Sequence, residues 1–299
     1  MKKIFIAGCG GMLGEAFYEY FTEQNYDILA SDIDLNAKWL TYLDFRDHSS
    51  YLKIVNEFNP DFIFHLGAFT DLEYCEKNSY EAYLTNTISV ENAVNISNAL
   101  NVPLLYISTA GIFDGLKNLY DDWDTPNPLG VYARTKYLGE KFVLERAIKP
   151  FVCRAGWMMG GGPEKDKKFI QKLMYQLKSG NKQLFVVNDK DGTPTYTLDF
   201  AKNCHSLIKT EFFGLYNMVC QGETSRFEVA SHLLDILGLD KKIELIPVES
   251  SFFANKYFAA RPNSERLINS KLNMRGLNNM QDWKFSLNHY INSRYSNYL

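Results

Sequence analysis

The stretch KIFIAGCGGMLGEAF, residues Lys3 to Phe17, changes character twice along its length. Lys3–Ala7 is a short apolar run, the pattern of a strand buried on both faces. Gly8, Gly11 and Gly14 follow in a G-x-x-G-x-x-G spacing, and from Met12 onward apolar residues recur at helical intervals. A strand, a glycine turn and a helix in that order let backbone approach a pyrophosphate closely. The helix start then offers unpaired N–H groups and the positive end of its dipole. Gly8, Gly11, Met12, Leu13 and Gly14 are therefore expected to cradle a dinucleotide. Gly10 is an extra glycine to which the pattern assigns no role.

The next apolar run ends in ASDID, and Asp32 lies 18 residues past Gly14. A carboxylate at about that distance holds the adenosine ribose hydroxyls. It repels a 2′-phosphate, so NAD(H) is favoured over NADP(H). Asp34 is the alternative for that role. Asp44, in YLDFRD, is expected toward the adenine edge.

Outward from this unit the same alternation continues. YDILAS, DFIFHLGA, PLLYISTA and PFVCRAG read as strands. YLKIVNEF, EAYLTNTISVENAVNISNAL and YARTKYLGEKFVLERA read as helices between them. That rhythm predicts an α/β chain with a doubly wound parallel sheet of Rossmann type. It weakens after about Gly156. GGGPEKDKK reads as a mobile charged loop, TLDFAKNCHSLIKT and SRFEVASHLLDIL as helices, and GLYNMV as a strand. The expected organisation is a cofactor-binding core over 1–155 and a smaller C-terminal α/β substrate-binding portion over 156–299. Segments near 184–210 are expected to return to the core.

The composition suits a globular protein: 46% hydrophobic and 22% charged over 299 residues. A net charge of -3 gives no general attraction to nucleic acid or to an anionic membrane. No apolar run approaches the roughly 18 residues of a membrane span. The five cysteines are scattered and odd in number, which argues against a disulfide framework and for a reducing cytoplasm. No metal-ligand set is apparent; a role for Mg²⁺ is not indicated.

The strand LLYIST ends at Thr109, and about twenty residues later GVYARTKYLGEK holds two overlapping tyrosine–lysine pairs, Tyr132 with Lys136 and Tyr137 with Lys141. Each pair lies four apart, on one helix face. The two tyrosines are five apart, so both pairs cannot face the same ligand. Hydroxyl, tyrosine and lysine in this order resemble the extended short-chain dehydrogenase/reductases, and more narrowly the dTDP-4-dehydrorhamnose reductase family. PDFIFHLGAFTDLEYCE, YISTAGIFDG, TPNPLGVYARTKYLGE, CRAGWMMGGG, GTPTYTLDFA, GLYNMVCQGETSRFEVA and ARPNSERLINSKL occur in the family's order, almost end to end.

The resemblance implies a reductase of a nucleotide-activated 4-keto-6-deoxy sugar, in surface-polysaccharide or deoxysugar synthesis. The Asn127-Pro128 lead-in selects Tyr132 and Lys136, leaving Tyr137 to packing and Lys141 to the surface. Tyr132 would donate a proton to the carbonyl oxygen. Lys136 would lower the tyrosine pKa and hold the nicotinamide ribose, and Thr109 would hydrogen-bond the carbonyl. Gly67, Ala68 and Phe69 would pass along the cofactor, and Trp157 would line the sugar pocket. Arg261 would meet a substrate phosphate, with a structural ion pair as its rival. The expected partner is the nucleotide sugar, and a homodimer is allowed.

Two departures stand out. The family usually carries Asp-Tyr after the threonine; here Ala110 and Gly111 occupy those positions, so the sugar must be recognised otherwise. The same pair cannot supply the acid–base groups of a nucleotide-sugar 4,6-dehydratase. The inserted charge in GGGPEKDKKF, with Lys165, Lys167 and Lys168, could meet a diphosphate or simply face solvent. Two other functions remain open: a non-catalytic binding protein like the methionine adenosyltransferase β subunit, and a nucleotide-sugar epimerase that recycles its hydride.

Overall fold

The computed structural model describes residues 1–299. The first half runs β1 (Lys3–Ala7), α1 (Met12–Glu23), β2 (Asp27–Asp32), β3 (Leu40–Tyr42), α2 (His48–Phe58) and β4 (Phe62–His65). It continues with α3 (Leu72–Lys77), α4 (Ser79–Tyr83), α5 (Ser89–Leu100), β5 (Leu104–Thr109), α6 (Val131–Arg146) and β6 (Pro150–Ala155). The second half holds β7 (Trp157–Met159), α7 (Gly162–Lys165), α8 (Phe169–Lys178), β8 (Gln183–Val187), β9 (Asp191–Gly192), β10 (Pro194–Tyr196), α9 (Thr197–Ile208) and β11 (Gly214–Asn217). Last come β12 (Thr224–Ser225), α10 (Arg226–Ile236), β13 (Glu244–Val248), β14 (Ser264–Glu265), α11 (Ser270–Met274) and α12 (Trp283–Arg294).

Seven strands form one parallel sheet in the order β11-β6-β5-β4-β1-β2-β3. The order reverses between β1 and β4, the switch point at whose strand carboxyl ends sheets of this kind take their ligands. Alternate residues of each strand serve opposite faces. Ile4, Ile6, Phe62, Phe64, Leu105 and Ile107 pack into the larger core, with α1 and α9. Phe5, Ala7, Ile63, Leu104, Tyr106 and Val152 pack into the smaller one, under α2, α5 and α6. Both faces of every central strand are apolar, which is why these segments read as unbroken hydrophobic runs.

The GLYNMV run becomes β11 and extends the main sheet beside β6. The remaining C-terminal strands make three small sheets, β10-β7, β12-β9-β14 and β13-β8. These bring Trp157, Gly192 and Glu265 together beside Gly111.

One expected element is interrupted. The segment EAYLTNTISVENAVNISNAL is not one regular helix, because a π-helical turn, Leu84–Ile88, separates α4 from α5. Nor is GGGPEKDKK a loop lying in solvent. Gly160, Gly161 and Gly162 have φ of 157°, 72° and 63° and turn the chain into α7. From there Lys165 reaches the glycine-rich turn and Lys168 reaches Thr70, while Lys167 is exposed.

Candidate active site

The glycine-rich turn is built by contacts that leave no room for side chains. Gly8 has φ +76°, and a Cβ there would lie 2.1 Å from the Gly67 Cα. The turn after β1 and the turn after β4 thus touch backbone to backbone. At Gly14 a Cβ would lie 2.2 Å from the Cys9 carbonyl oxygen, which lets α1 start tight against the turn. Gly11 precedes α1, and a Cβ there would meet nothing within 4 Å. Met12 and Leu13 bury their side chains and leave their N–H groups at the helix start. The cradle therefore fits a dinucleotide pyrophosphate: it is open at Gly11, narrow at Gly8 and lined by main chain.

Asp32 lies at the end of β2, where its carboxylate accepts the Gly10 N–H at 2.8 Å and the Asp34 N–H at 3.0 Å. Gly10 thereby gains the role its sequence position did not show. A Cβ at Gly10 would lie 2.9 Å from the Asp32 Cγ, so only glycine lets the carboxylate sit so close. Lys165 approaches the same turn, donating to the Gly10 carbonyl at 3.2 Å and to Asn36 Oδ1 at 3.0 Å. A cation thus reaches the same Gly10 turn whose N–H Asp32 holds, which the sequence did not place there. Asp44 is gripped by Arg46, whose backbone N–H, Nε and Nη2 all donate to it. That hydrogen-bonding holds the Asp44 carboxyl below its usual range.

The loop Gly67–Phe69 is clamped by Asn86. Its Oδ1 accepts the Phe69 N–H at 2.8 Å, and its Nδ2 donates to the Phe69 carbonyl and to Thr135 Oγ1. Thr87 Oγ1 donates to the Thr135 carbonyl at 2.9 Å. The π-helical turn aims both side chains at α6, a common use of such turns near functional sites. A single buried asparagine inside a helix carries no sequence signal, so the role of Asn86 is legible only in the fold.

The start of α6 is fixed by Glu76, whose Oε1 accepts the Val131 N–H at 2.7 Å. A carboxylate at a helix N-terminus is favoured by the dipole. One residue on, Tyr132 faces Thr109, the last residue of β5. Burial pushes the Tyr132 phenol up to about 12, and the Thr109 hydroxyl draws it back. Lys136 lies one helical turn further, 4% exposed, with Nζ 4.2 Å from the Tyr106 ring centroid and no hydrogen bond to protein. Burial lowers it to about 7, against the attraction of Glu140. The expected lowering of the tyrosine by Lys136 is therefore not what this structure shows. A buried ammonium that loses its charge near neutrality cannot offset the desolvation of the phenol. Tyr137 packs beside Ala110, Ile112 and Phe113, and Lys141 lies 3.8 Å from Glu145 at the surface.

Beyond Thr109 a short 3₁₀ turn, Ala110–Ile112, buries Ala110 and Gly111. Trp157 Nε1 donates to Glu265 Oε2. Arg261 does not present its fork to the crevice. It is held bidentate by Glu73, at 2.7 and 2.9 Å, and its Nη1 also donates to the Ala259 carbonyl. Of the two expectations for Arg261, the ion pair is the one observed. The guanidinium beside Trp157 is that of Arg226, which lies 3.7 Å from the Trp157 ring centroid and 4.9 Å from that of Phe169 and makes no hydrogen bond to protein. Ser225 and Glu228 form a capping box at the start of α10 and make Arg226 its first residue.

A parallel sheet with a dinucleotide cradle at its switch point, and threonine, tyrosine and lysine beside it, define an NAD(P)-dependent oxidoreductase of the short-chain dehydrogenase/reductase type. Residues 1–296 match the RmlD substrate binding domain, and the chain belongs to that family. It is similar to the dTDP-4-dehydrorhamnose reductase of Bacillus anthracis, solved in complex with NADP, at 30% identity and a TM-score of 0.89, covering 98% of this chain and 100% of that one. It is also similar to the spore coat polysaccharide biosynthesis protein SpsK of Bacillus subtilis, 27% identical over 99% of both chains. The methionine adenosyltransferase 2 subunit beta of Bos taurus is 25% identical, over 92% of this chain and 83% of that protein.

Proposed function

We propose that the protein reduces the ketone of a nucleotide-activated 4-keto-6-deoxy sugar with NADH or NADPH, as a step toward a surface polysaccharide or another deoxysugar product. The observation that carries this reading is Tyr132, with Lys136 one turn along α6, facing Thr109 at the carboxyl end of β5 in a chain whose cradle is open at Gly11.

A bound reduced nicotinamide supplies a hydride to the carbonyl carbon. Tyr132 enters protonated, as its raised pKa ensures, and transfers its phenolic proton to the carbonyl oxygen, giving a secondary alcohol. Thr109 hydrogen-bonds the same oxygen and holds it in line with the phenol. Lys136 offers its ammonium to the nicotinamide ribose. With a pyrophosphate in the cleft Lys136 regains its charge, which then favours the phenolate left on Tyr132. Solvent returns the proton to Tyr132 after each turnover. Asp32 disfavours a 2′-phosphate and Lys165 attracts it, so the preference for NAD(H) is smaller than Asp32 alone would set.

The test is loss of reduced-nicotinamide absorbance with dTDP-4-dehydrorhamnose and a panel of other nucleotide 4-keto sugars. Turnover supports the reading. A folded protein that binds NADPH and turns over none of them would favour a binding subunit, an alternative that Ala110-Gly111 keeps in view. A pure scaffold has no use for a Thr109–Tyr132–Lys136 constellation.

A further inference from the structure

The position left empty of side chain at Gly111 is filled from the far end of the chain. A Cβ at Gly111 would lie 3.2 Å from Glu265 Oε1 and 3.5 Å from Thr109 Oγ1. The Glu265 carboxylate and the Thr109 hydroxyl therefore bracket one point, next to where the substrate carbonyl must sit. Glu265 is placed there by main-chain pairing. β14 lies parallel to β9 with Glu265 opposite Gly192. Gly192 lets the Trp157 indole pack flat against it, since a Cβ would come within 2.3 Å of the ring. The indole N–H then orients the carboxylate through Oε2 and leaves Oε1 toward Thr109. Arg226, 3.7 Å from the Trp157 ring centroid, adds an attractive positive charge for Glu265.

We propose that Glu265 is the specificity-determining residue of the sugar pocket. It accepts a hydrogen bond from the ring hydroxyl on the carbon next to the ketone, the C3 hydroxyl of a 4-keto-6-deoxy sugar. It does so from the space that a side chain at Gly111 would occupy, where the Asp-Tyr pair is absent. This rests on the proposed ketone reduction only for the naming of that carbon. The carboxylate is an acceptor with no proton of its own to give, so it selects sugars that carry a donor there. A site built to hydrogen-bond a hydroxyl rejects the analogue lacking it far more strongly than an apolar pocket does, because its buried polar group is left unpaired. The enzyme should therefore prefer a 3-hydroxy substrate over its 3-deoxy counterpart by ~10³-fold or more in kcat/KM.

Glu265→Gln keeps the shape and an acceptor for Trp157 while removing the charge. Its kcat/KM for the 3-hydroxy sugar should fall ~10- to 100-fold, the loss expected for a charge-assisted hydrogen bond. Its value for the 3-deoxy sugar and its NADPH dissociation constant should stay within about twofold. Equal losses on both sugars, or no loss on either, would overturn the assignment. A second readout does not depend on turnover: calorimetric binding of dTDP-L-rhamnose against dTDP alone, with wild type and Glu265→Gln. If no ketone is reduced yet the variant loses the sugar's share of the affinity, the reductase reading fails and the role of Glu265 stands. If the variant binds both ligands as wild type does, the role of Glu265 fails.

Discussion

Replacing Lys136 by methionine should stabilise the cofactor-free protein while destroying its activity. The lysine is 4% exposed, makes no hydrogen bond to protein, and has its pKa lowered by burial from 10.5 to about 7. A folded-state pKa below the unfolded one means that the unfolded chain binds more protons between the two values. Stability then rises with pH across that window, by at most ~1.4 kcal/mol per pH unit for one group. At and below pH 7 the full cost applies, with a ceiling of about 5 kcal/mol; local relaxation and water penetration bring it to roughly 2–4 kcal/mol. Above about pH 10 the lysine is neutral in both states and the cost vanishes. Methionine fills a similar volume without a charge to desolvate. Lys136→Met should therefore exceed wild type most at pH 6–7, and the two should converge toward pH 10. Urea unfolding of both proteins without cofactor, at several pH values, measures the difference directly and cancels the groups they share. A variant less stable than wild type at pH 6.5, or an advantage independent of pH, would refute the reasoning. Saturating NADPH should narrow the gap, because its pyrophosphate favours the charged lysine and adds binding free energy to wild type.

Three further outcomes follow from the geometry. Tyr132→Phe should lower kcat by about 10²- to 10⁴-fold with NADPH binding retained, while Tyr137→Phe stays near wild type; steady-state kinetics of the two separates them. Lys165→Ala should raise the KM for NADPH about tenfold and that for NADH little, because the lysine stands at the Asp32 end of the cleft; equal shifts would assign it to loop folding alone. Glu140→Ala should cost ~3–5 kcal/mol in chemical unfolding, since it strands Arg154, held now at 2.6 and 2.9 Å with both side chains almost wholly buried.

What the sequence revealed was whatever depends on neighbours along the chain. The apolar runs announced β1, β4, β5 and β6 because both faces of those strands are covered. Gly8 and Gly14 announced the turn because their contacts leave no alternative residue. Tyr132 and Lys136 share a helix face by spacing alone, though choosing them over Tyr137 and Lys141 needed the family resemblance. Groups that meet only in space were hidden. Glu265 reaches Trp157 across 108 positions of sequence, through a two-residue strand too short to leave a pattern. Asn86 acts through a π-helical turn that no periodicity encodes. Arg261 looked like a phosphate ligand because its carboxylate, Glu73, lies far away in sequence. Lys165 looked solvated because a run of charge normally is. The upward direction of the Tyr132 shift is hidden for a related reason, since the desolvation of a group depends on the whole fold around it.

The contact of Gly8 with Gly67 has a consequence for how such a protein diverges. There the bottom of the crevice is polypeptide laid on polypeptide, and no substitution can redecorate it without prying the two turns apart. The rim is different: Glu265, Arg226 and Trp157 are side chains carried by short C-terminal strands and a helix start, each replaceable one codon at a time. Descendants of one ancestor can therefore exchange the molecule they act on while inheriting the cofactor seat intact.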